Sequence, residues 1–244
     1  MNKMHTIIKS TLLLTVILVF TSLSAIGQNK FNKLDENGLK QGVWIKMWNN
    51  GVVKYKGEFM DDSPVGTFKY YYPSGKEKSI MTFSEKGTRA NNISFHENGK
   101  KMAEGVFINQ KKEGTWKYFS DVDEKLVSEE NYKDGLLNGE TITYYIDDQK
   151  PFEVIEYKEG NKEGKWIKYF PDGQKMTETT YKNNKLEGIF LNYDPDGKLL
   201  VKGQYKEGEM DGTWYYYDET GKLYRKEVYN KGYLVKSDDL DDDK

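Results

Sequence analysis

The chain has 244 residues, of which 31% are charged, 14% aromatic and 36% hydrophobic, with a formal net charge of -2 and no cysteine. A disulfide-stapled domain is excluded, and the charge balance excludes the basic footprint of a nucleic-acid-binding surface. Nineteen tyrosines and five tryptophans in so polar a chain imply that aromatic surface supplies most of the buried apolar area, so the predicted core is thin.

Residues 1 to 27 differ from everything after them. Lys3 and Lys9 precede an apolar run from Leu12 to Phe20, followed by small residues and the ending Ala25-Ile26-Gly27. This is the three-part pattern of a signal peptide, with cleavage expected between Gly27 and Gln28, and it predicts an exported chain, periplasmic or secreted. The competing reading is an uncleaved anchor, but the run is shorter than the roughly 20 residues a membrane span needs. Loss of Lys3 and Lys9 takes the net charge from -2 to -4.

From residue 28 to 236 the sequence repeats itself. Anchor glycines fall at Gly42, Gly66, Gly114, Gly139, Gly164, Gly188 and Gly212, with Ala90 in the third place, so the steps are 24, 24, 24, 25, 25, 24 and 24 residues. Two positions after each anchor stand Trp44, Phe68, Asn92, Trp116, Thr141, Trp166, Phe190 and Trp214. Seven positions before an anchor, or where the next would fall, stand Phe59, Phe83, Phe107, Tyr132, Tyr157, Tyr181, Tyr205 and Tyr229. Self-similarity at this period is the mark of a stacked repeat architecture.

Six units carry a turn pair: Asn50-Gly51, Ser74-Gly75, Asn98-Gly99, Asp172-Gly173, Asp196-Gly197 and Thr220-Gly221. Such pairs predict two-residue type I′ hairpin turns. The two 25-residue units, starting at Gly114 and Gly139, lack the glycine and are expected to use a longer loop. A two-residue turn at Asp172-Gly173 pairs Tyr169 with Met176, Trp166 with Thr179 and Gly164 with Tyr181. The aromatic of the return strand then faces the anchor glycine and is expected to cover the gap it leaves. Trp166 and Tyr181 share one face, while Ile167, Tyr169 and Met176 take the other, so both faces are partly apolar.

A second polar turn, as in "YKEGNKEG", leads to the next hairpin. The predicted fold is all-β: an elongated, twisted antiparallel sheet of about eight stacked hairpins and about sixteen strands. Helical periodicity is absent outside the leader. Residues 237 to 244, with Asp238, Asp239, Asp241, Asp242 and Asp243, read as a solvated, disordered acidic tail.

The stretch "YKEGNKEGKW", with Tyr157, Gly160, Gly164 and Trp166, resembles the MORN repeat in the variant form found in bacterial YwqK-like proteins. The resemblance spans roughly residues 35 to 236. Classical MORN repeats place a further glycine where Trp166 stands. The resemblance implies a hairpin array and a protein-interaction or membrane-associated scaffold, and YwqK-like proteins are often labelled antitoxins of toxin-antitoxin pairs.

No chemistry stands out. The histidines are His5, in the leader, and His96, so the usual zinc and Ser-His-Asp sets lack their parts. Carboxylates such as Asp172, Asp194 and Asp196 sit in turns, and "DPDG" lacks the alternating ligands of a calcium loop. The expectation is a non-enzyme without cofactor. The candidate interaction ladder is Trp44, Phe68, Trp116, Trp166, Phe190 and Trp214, which fills space between hairpins or, if open, grips a partner. The leading functional expectation is a scaffold for a protein partner; one alternative is an envelope glycan or lipid binder using the aromatic rows, and another, implied by the family resemblance, is an antitoxin or immunity-type protein of a toxin-antitoxin pair.

Overall fold

The computed structural model describes residues 30 to 240, so the expected signal peptide and the last acidic residues lie outside the described residues. Eighteen strands follow one another: β1 (Lys33–Leu34), β2 (Lys40–Met47), β3 (Val53–Met60), β4 (Ser63–Tyr71), β5 (Glu77–Ser84), β6 (Arg89–Phe95), β7 (Lys101–Ile108), β8 (Lys111–Phe119), β9 (Leu126–Lys133), β10 (Leu136–Tyr144), β11 (Pro151–Lys158), β12 (Asn161–Tyr169), β13 (Lys175–Lys182), β14 (Lys185–Tyr193), β15 (Leu199–Lys206), β16 (Glu209–Tyr217), β17 (Leu223–Asn230) and β18 (Tyr233–Asp239). Each pairs antiparallel with its neighbours in sequence, in one open sheet. The expected sixteen strands are β2 to β17, and short β1 and β18 extend the array at its two ends. β18 takes Ser237, Asp238 and Asp239 into the sheet. These residues are therefore not part of a free tail: Asp239 accepts a charged hydrogen bond from Arg225 at 2.6 Å and Asp238 from Lys236 at 2.6 Å.

The two sets of turns exchange the roles expected of them. At the hairpin tip, Phe170 N–H bonds Gln174 O at 2.8 Å and Gly173 N–H bonds Phe170 O at 2.9 Å. Gly173 has φ +95° while Asp172 is not left-handed. This is a three-residue loop, a type I turn closed by a left-handed glycine, rather than a type I′ turn. Asp172 is favoured there because its carboxylate accepts Gln174 N–H at 2.9 Å. The extra residue moves Tyr169 opposite Lys175 instead of Met176, while Trp166 with Thr179 and Gly164 with Tyr181 pair as the sequence predicts. In the two 25-residue units the loop is indeed one residue longer, and its left-handed position is held by Glu124 (φ +59°) and Gln149 (φ +60°).

Type I′ geometry belongs to the turns between units. Glu159 and Gly160 have φ +50° and +84°, and Lys158 pairs directly with Asn161. Asp61 and Asp62 (φ +49° and +62°) and Asn183 and Asn184 (φ +48° and +66°) do the same with no glycine. Asn and Asp tolerate this region better than other side chains.

Just after this turn the anchor glycines from Gly66 onward sit at a bulge. Across β15 and β16 the register jumps by two residues between Gln204↔Asp211 and Lys202↔Tyr215, and Gly212 in the gap has φ +71°. Glycine adopts that backbone angle without the steric cost other residues bear. The aromatic opposite does not cover it: an added Cβ at Gly42, Gly66 or Gly114 meets nothing within 4 Å, and at Gly188 it meets Thr180. Tyr205 lies opposite Gly188, but its ring packs between Phe190 at 5.6 Å and Trp214 at 5.2 Å, edge to face against both. Alanine at the third anchor explains the one departure. Ala90 is not left-handed, β5 and β6 pair without a shift, and the two residues a bulge would absorb enlarge the turn to Glu85–Thr88.

A second glycine class does lie beneath rings. A Cβ at Gly57, Gly105 or Gly203 would fall inside the ring of Phe68, Trp116 or Trp214 respectively. The buried hydrophobic residues among those described are Phe68, Ala90, Ala103, Trp116, Ile155 and Trp214, a thin core lying on one face.

The two classes predict different costs. Gly66→Ala, with open space for its methyl group, should lose about 1 to 2 kcal/mol from backbone strain alone. Gly203→Ala should lose about 1 to 3 kcal/mol by displacing Trp214 and should also alter the near-ultraviolet tryptophan signal, which Gly66→Ala leaves unchanged. Denaturant titration with circular dichroism checks both, and equal spectra would refute the distinction.

Candidate functional site

The expected ladder forms on one face, because residues directly opposite in an antiparallel pair point the same way. Phe68, Trp116 and Trp214 are 2%, 3% and 3% exposed, whereas Trp44, Trp166 and Phe190 are half-buried. The return-strand aromatics wedge between them: Phe59 lies 5.1 Å from Phe68 at 89°, and Phe107 lies 4.7 Å from Trp116 at 71°. Edge-to-face packing of this kind adds to simple area burial. Trp116 donates to Val106 O at 3.1 Å and Trp166 to Glu153 at 2.9 Å, while the indole N–H groups of Trp44 and Trp214 are buried without a partner.

Lysines two residues before certain anchors fold over the ladder. Lys40 Nζ lies 5.3 Å from the Trp44 ring and 4.7 Å from Phe59. Lys112 Nζ lies 4.8 Å from Trp116 and 4.6 Å from Tyr132, and donates to the hydroxyl groups of Tyr118 and Tyr132. Tyr132 in turn donates to Glu130 at 2.5 Å. Burial holds the Lys112 ammonium below its ordinary pKa and pushes both tyrosines above theirs. A protonated lysine among neutral phenols is the stable arrangement, held by cation–π attraction and its hydrogen bonds. The network ties β8 to β9 over the ladder.

The opposite face is mixed, with lysines and glutamates set among Ile80, Ile93, Ile142, Val154, Ile167 and Leu191. Lys69 bridges Glu77 at 2.9 Å and Lys117 bridges Glu129 at 3.3 Å, all of them partly exposed. Each such pair contributes little to stability, and the pairs are separated along the face by apolar stretches at Ile80 and Ile93 and at Ile142, Val154 and Ile167.

Both edges tie unit to unit. At the tips, Trp48 Nε1 donates to Tyr71 O at 3.1 Å, Tyr72 OH to Phe95 O at 2.8 Å and Tyr145 OH to Tyr169 O at 2.8 Å. His96 occupies the same place, its Nε2 3.2 Å from Phe119 O, so the histidine outside the leader is a rung of this ladder. At the other edge the glutamate before the anchor accepts a backbone N–H of the next turn: Glu113 from Asp134, Glu163 from Asn183 and Glu187 from Glu207, all at 2.8 to 2.9 Å. The recurrent Glu-Gly pair was the sequence signal for this contact. Among the described residues, no cluster of three or more histidine, cysteine or acidic side chains could hold a metal ion, and no helix is long and apolar enough to cross a membrane.

No curated protein matches the chain. Among solved structures, it is similar to TarM with 17% identity over 39% of this chain and 20% of that one, at a TM-score of 0.29. A Staphylococcus aureus TarM point mutant, solved with fondaparinux, α-GlcNAc-glycerol and UDP, is similar at 18% identity over 49% and 20%, with a TM-score of 0.22. The chain thus spans about a fifth of the length of these proteins. The family model for the MORN repeat variant matches residues 64–85, 162–183, 186–207 and 210–231, which are the second, sixth, seventh and eighth of the eight units.

Proposed function

We propose that this chain is an exported, non-enzymatic repeat scaffold that holds a protein partner along its sheet. The supporting observation is the division of labour between the faces. The ladder aromatics are consumed in holding the sheet together, since Phe68, Trp116 and Trp214 are buried. The mixed face and the two tied edges remain for a partner. At about 4.8 Å between strands, eighteen strands extend this face over roughly 80 Å before twist. A surface so long, on which charged and apolar side chains are interspersed from strand to strand, suits an extended protein partner better than a compact ligand. Burial of three of the six ladder residues leaves little open aromatic surface for stacking on sugar rings, which favours this reading over glycan binding.

Affinity capture from cell-envelope extract with the chain from Gln28 onward should retain a protein partner. The double variant Lys69→Glu, Lys117→Glu should reduce that capture by about tenfold or more while the circular dichroism spectrum is unchanged. Retention of glycan or vesicles without protein would overturn the scaffold reading. The exported form should begin at Gln28 on amino-terminal sequencing.

A further inference from the structure

The eight units act as internal controls for one another, and the third departs most from the rest. Where the others place glycine at the anchor it has Ala90, and two residues on it has Asn92 in place of the ladder ring at most of the other sites. Its preceding turn is enlarged to Glu85–Thr88. The positions two before the second and third anchors, which hold a covering lysine at Lys40, Lys112 and Lys162, are the shorter Pro64 and Thr88. These changes converge on one place, where a cavity of about 610 Å³ opens on the ladder face. Its volume lies within the range of small-molecule sites.

The walls are Phe59, Phe68, Tyr70, Met81, Phe83 and Phe107. Phe68 and Phe83 meet edge to face at 5.0 Å and 74°, so the space beside them is bordered by ring edges and faces. Asn92, 7% exposed, is at the floor. Ser79 OH donates to its Oδ1 at 2.8 Å, and its Nδ2 has no protein partner among the described residues. The amide is open to the cavity, whose lining also carries the polar Ser79, Thr88 and Gln110, and it can donate to an acceptor placed there. Lys78, next to Ser79 in β5 and 5.5 Å from the Tyr72 ring, is the one charged residue of the lining, and no carboxylate accompanies it.

We infer that the third unit is a binding site for a small aromatic carboxylate, whose ring takes the place vacated in the ladder and whose acid accepts from Asn92 and pairs with Lys78. The ring is called for by the aromatic walls and by the position, which lies in line with Phe68 and Trp116. The negative charge is called for by a lone ammonium at the cavity with no acid to answer it. This site lies on the face opposite the mixed one and does not depend on the scaffold reading.

The test uses the full chain with 2-naphthoate as the probe, its ammonium counterpart 2-naphthylmethylamine as the charge control, and displacement of anilinonaphthalene sulfonate fluorescence as the readout. Naphthoate should bind at one site and about tenfold or more tighter than the amine, as a charge-assisted hydrogen bond requires. Asn92→Phe restores the ladder ring. It should fill the cavity, keep or raise the melting temperature and weaken naphthoate by about tenfold or more. Lys78→Glu, at an exposed position, should reverse the preference between acid and amine. The inference is overturned if naphthoate fails to bind, if it binds no tighter than the amine, or if a folded Asn92→Phe binds it as the parent does. Should Asn92→Phe fail to fold, the Lys78→Glu comparison decides alone, and an unchanged preference overturns the site.

Discussion

A sheet one layer thick has no second layer to bury its face against, and most of this structure is a response to that constraint. Apolar area can be removed from water only by side chains lying over one another along the face. Aliphatic side chains touch their cross-strand neighbours but cover little of the adjacent strand, whereas a ring reaches over it. The ladder ring therefore lies across the adjacent strand, and in three places that strand has given up its side chain altogether: Gly57, Gly105 and Gly203 are the floors on which Phe68, Trp116 and Trp214 rest. The return-strand aromatic then closes the space between successive ladder rings, as Tyr205 does between Phe190 and Trp214.

The period, the strand count within the repeats and the face shared by Trp166 and Tyr181 were legible because each rests on spacing alone. Turn type was not. A two-residue turn and a three-residue loop followed by a bulge give the same register beyond the bulge, so Gly164↔Tyr181 and Trp166↔Thr179 hold under either, and Tyr169 alone moves. Asp172-Gly173 looks like a type I′ pair, yet its aspartate serves as an acceptor for Gln174 N–H and only the glycine is left-handed. The true type I′ turns were obscured by pairs such as Glu159-Gly160 and Asp61-Asp62, where the first left-handed residue is not glycine.

The function of the anchor glycine was hidden for a related reason. Sequence arithmetic finds its cross-strand partner but carries no sign of φ, and a glycine beneath a ring looks the same as a glycine at a bulge. Ala90 distinguishes them. Where the anchor has a methyl group the bulge disappears, and its two residues pass into the turn. Side-chain ties between turns were equally invisible, because they join residues about 23 apart whose partners are backbone atoms. The pairing of Trp48 with Tyr71 O and of His96 with Phe119 O becomes a pattern only once the units are stacked. For that reason a lone histidine, ordinarily a candidate for chemistry, is explained as a structural donor.

Because each unit touches mainly its neighbours, stability in such an array is close to a sum of unit and interface terms, and one unit can depart from the common pattern without unfolding the rest. The longer loop of the unit starting at Gly114 leaves its ladder ring, Trp116, in place and changes only the outline of one edge. The departure at Ala90 and Asn92 falls on the ladder itself, where the strict pattern would have placed a ring. It removes buried aromatic area, which lowers stability. Such a cost is tolerated most easily where Phe68 on one side and Trp116 on the other remain buried. Repetition thus supplies the frame, and chemical individuality enters at the position where repetition fails.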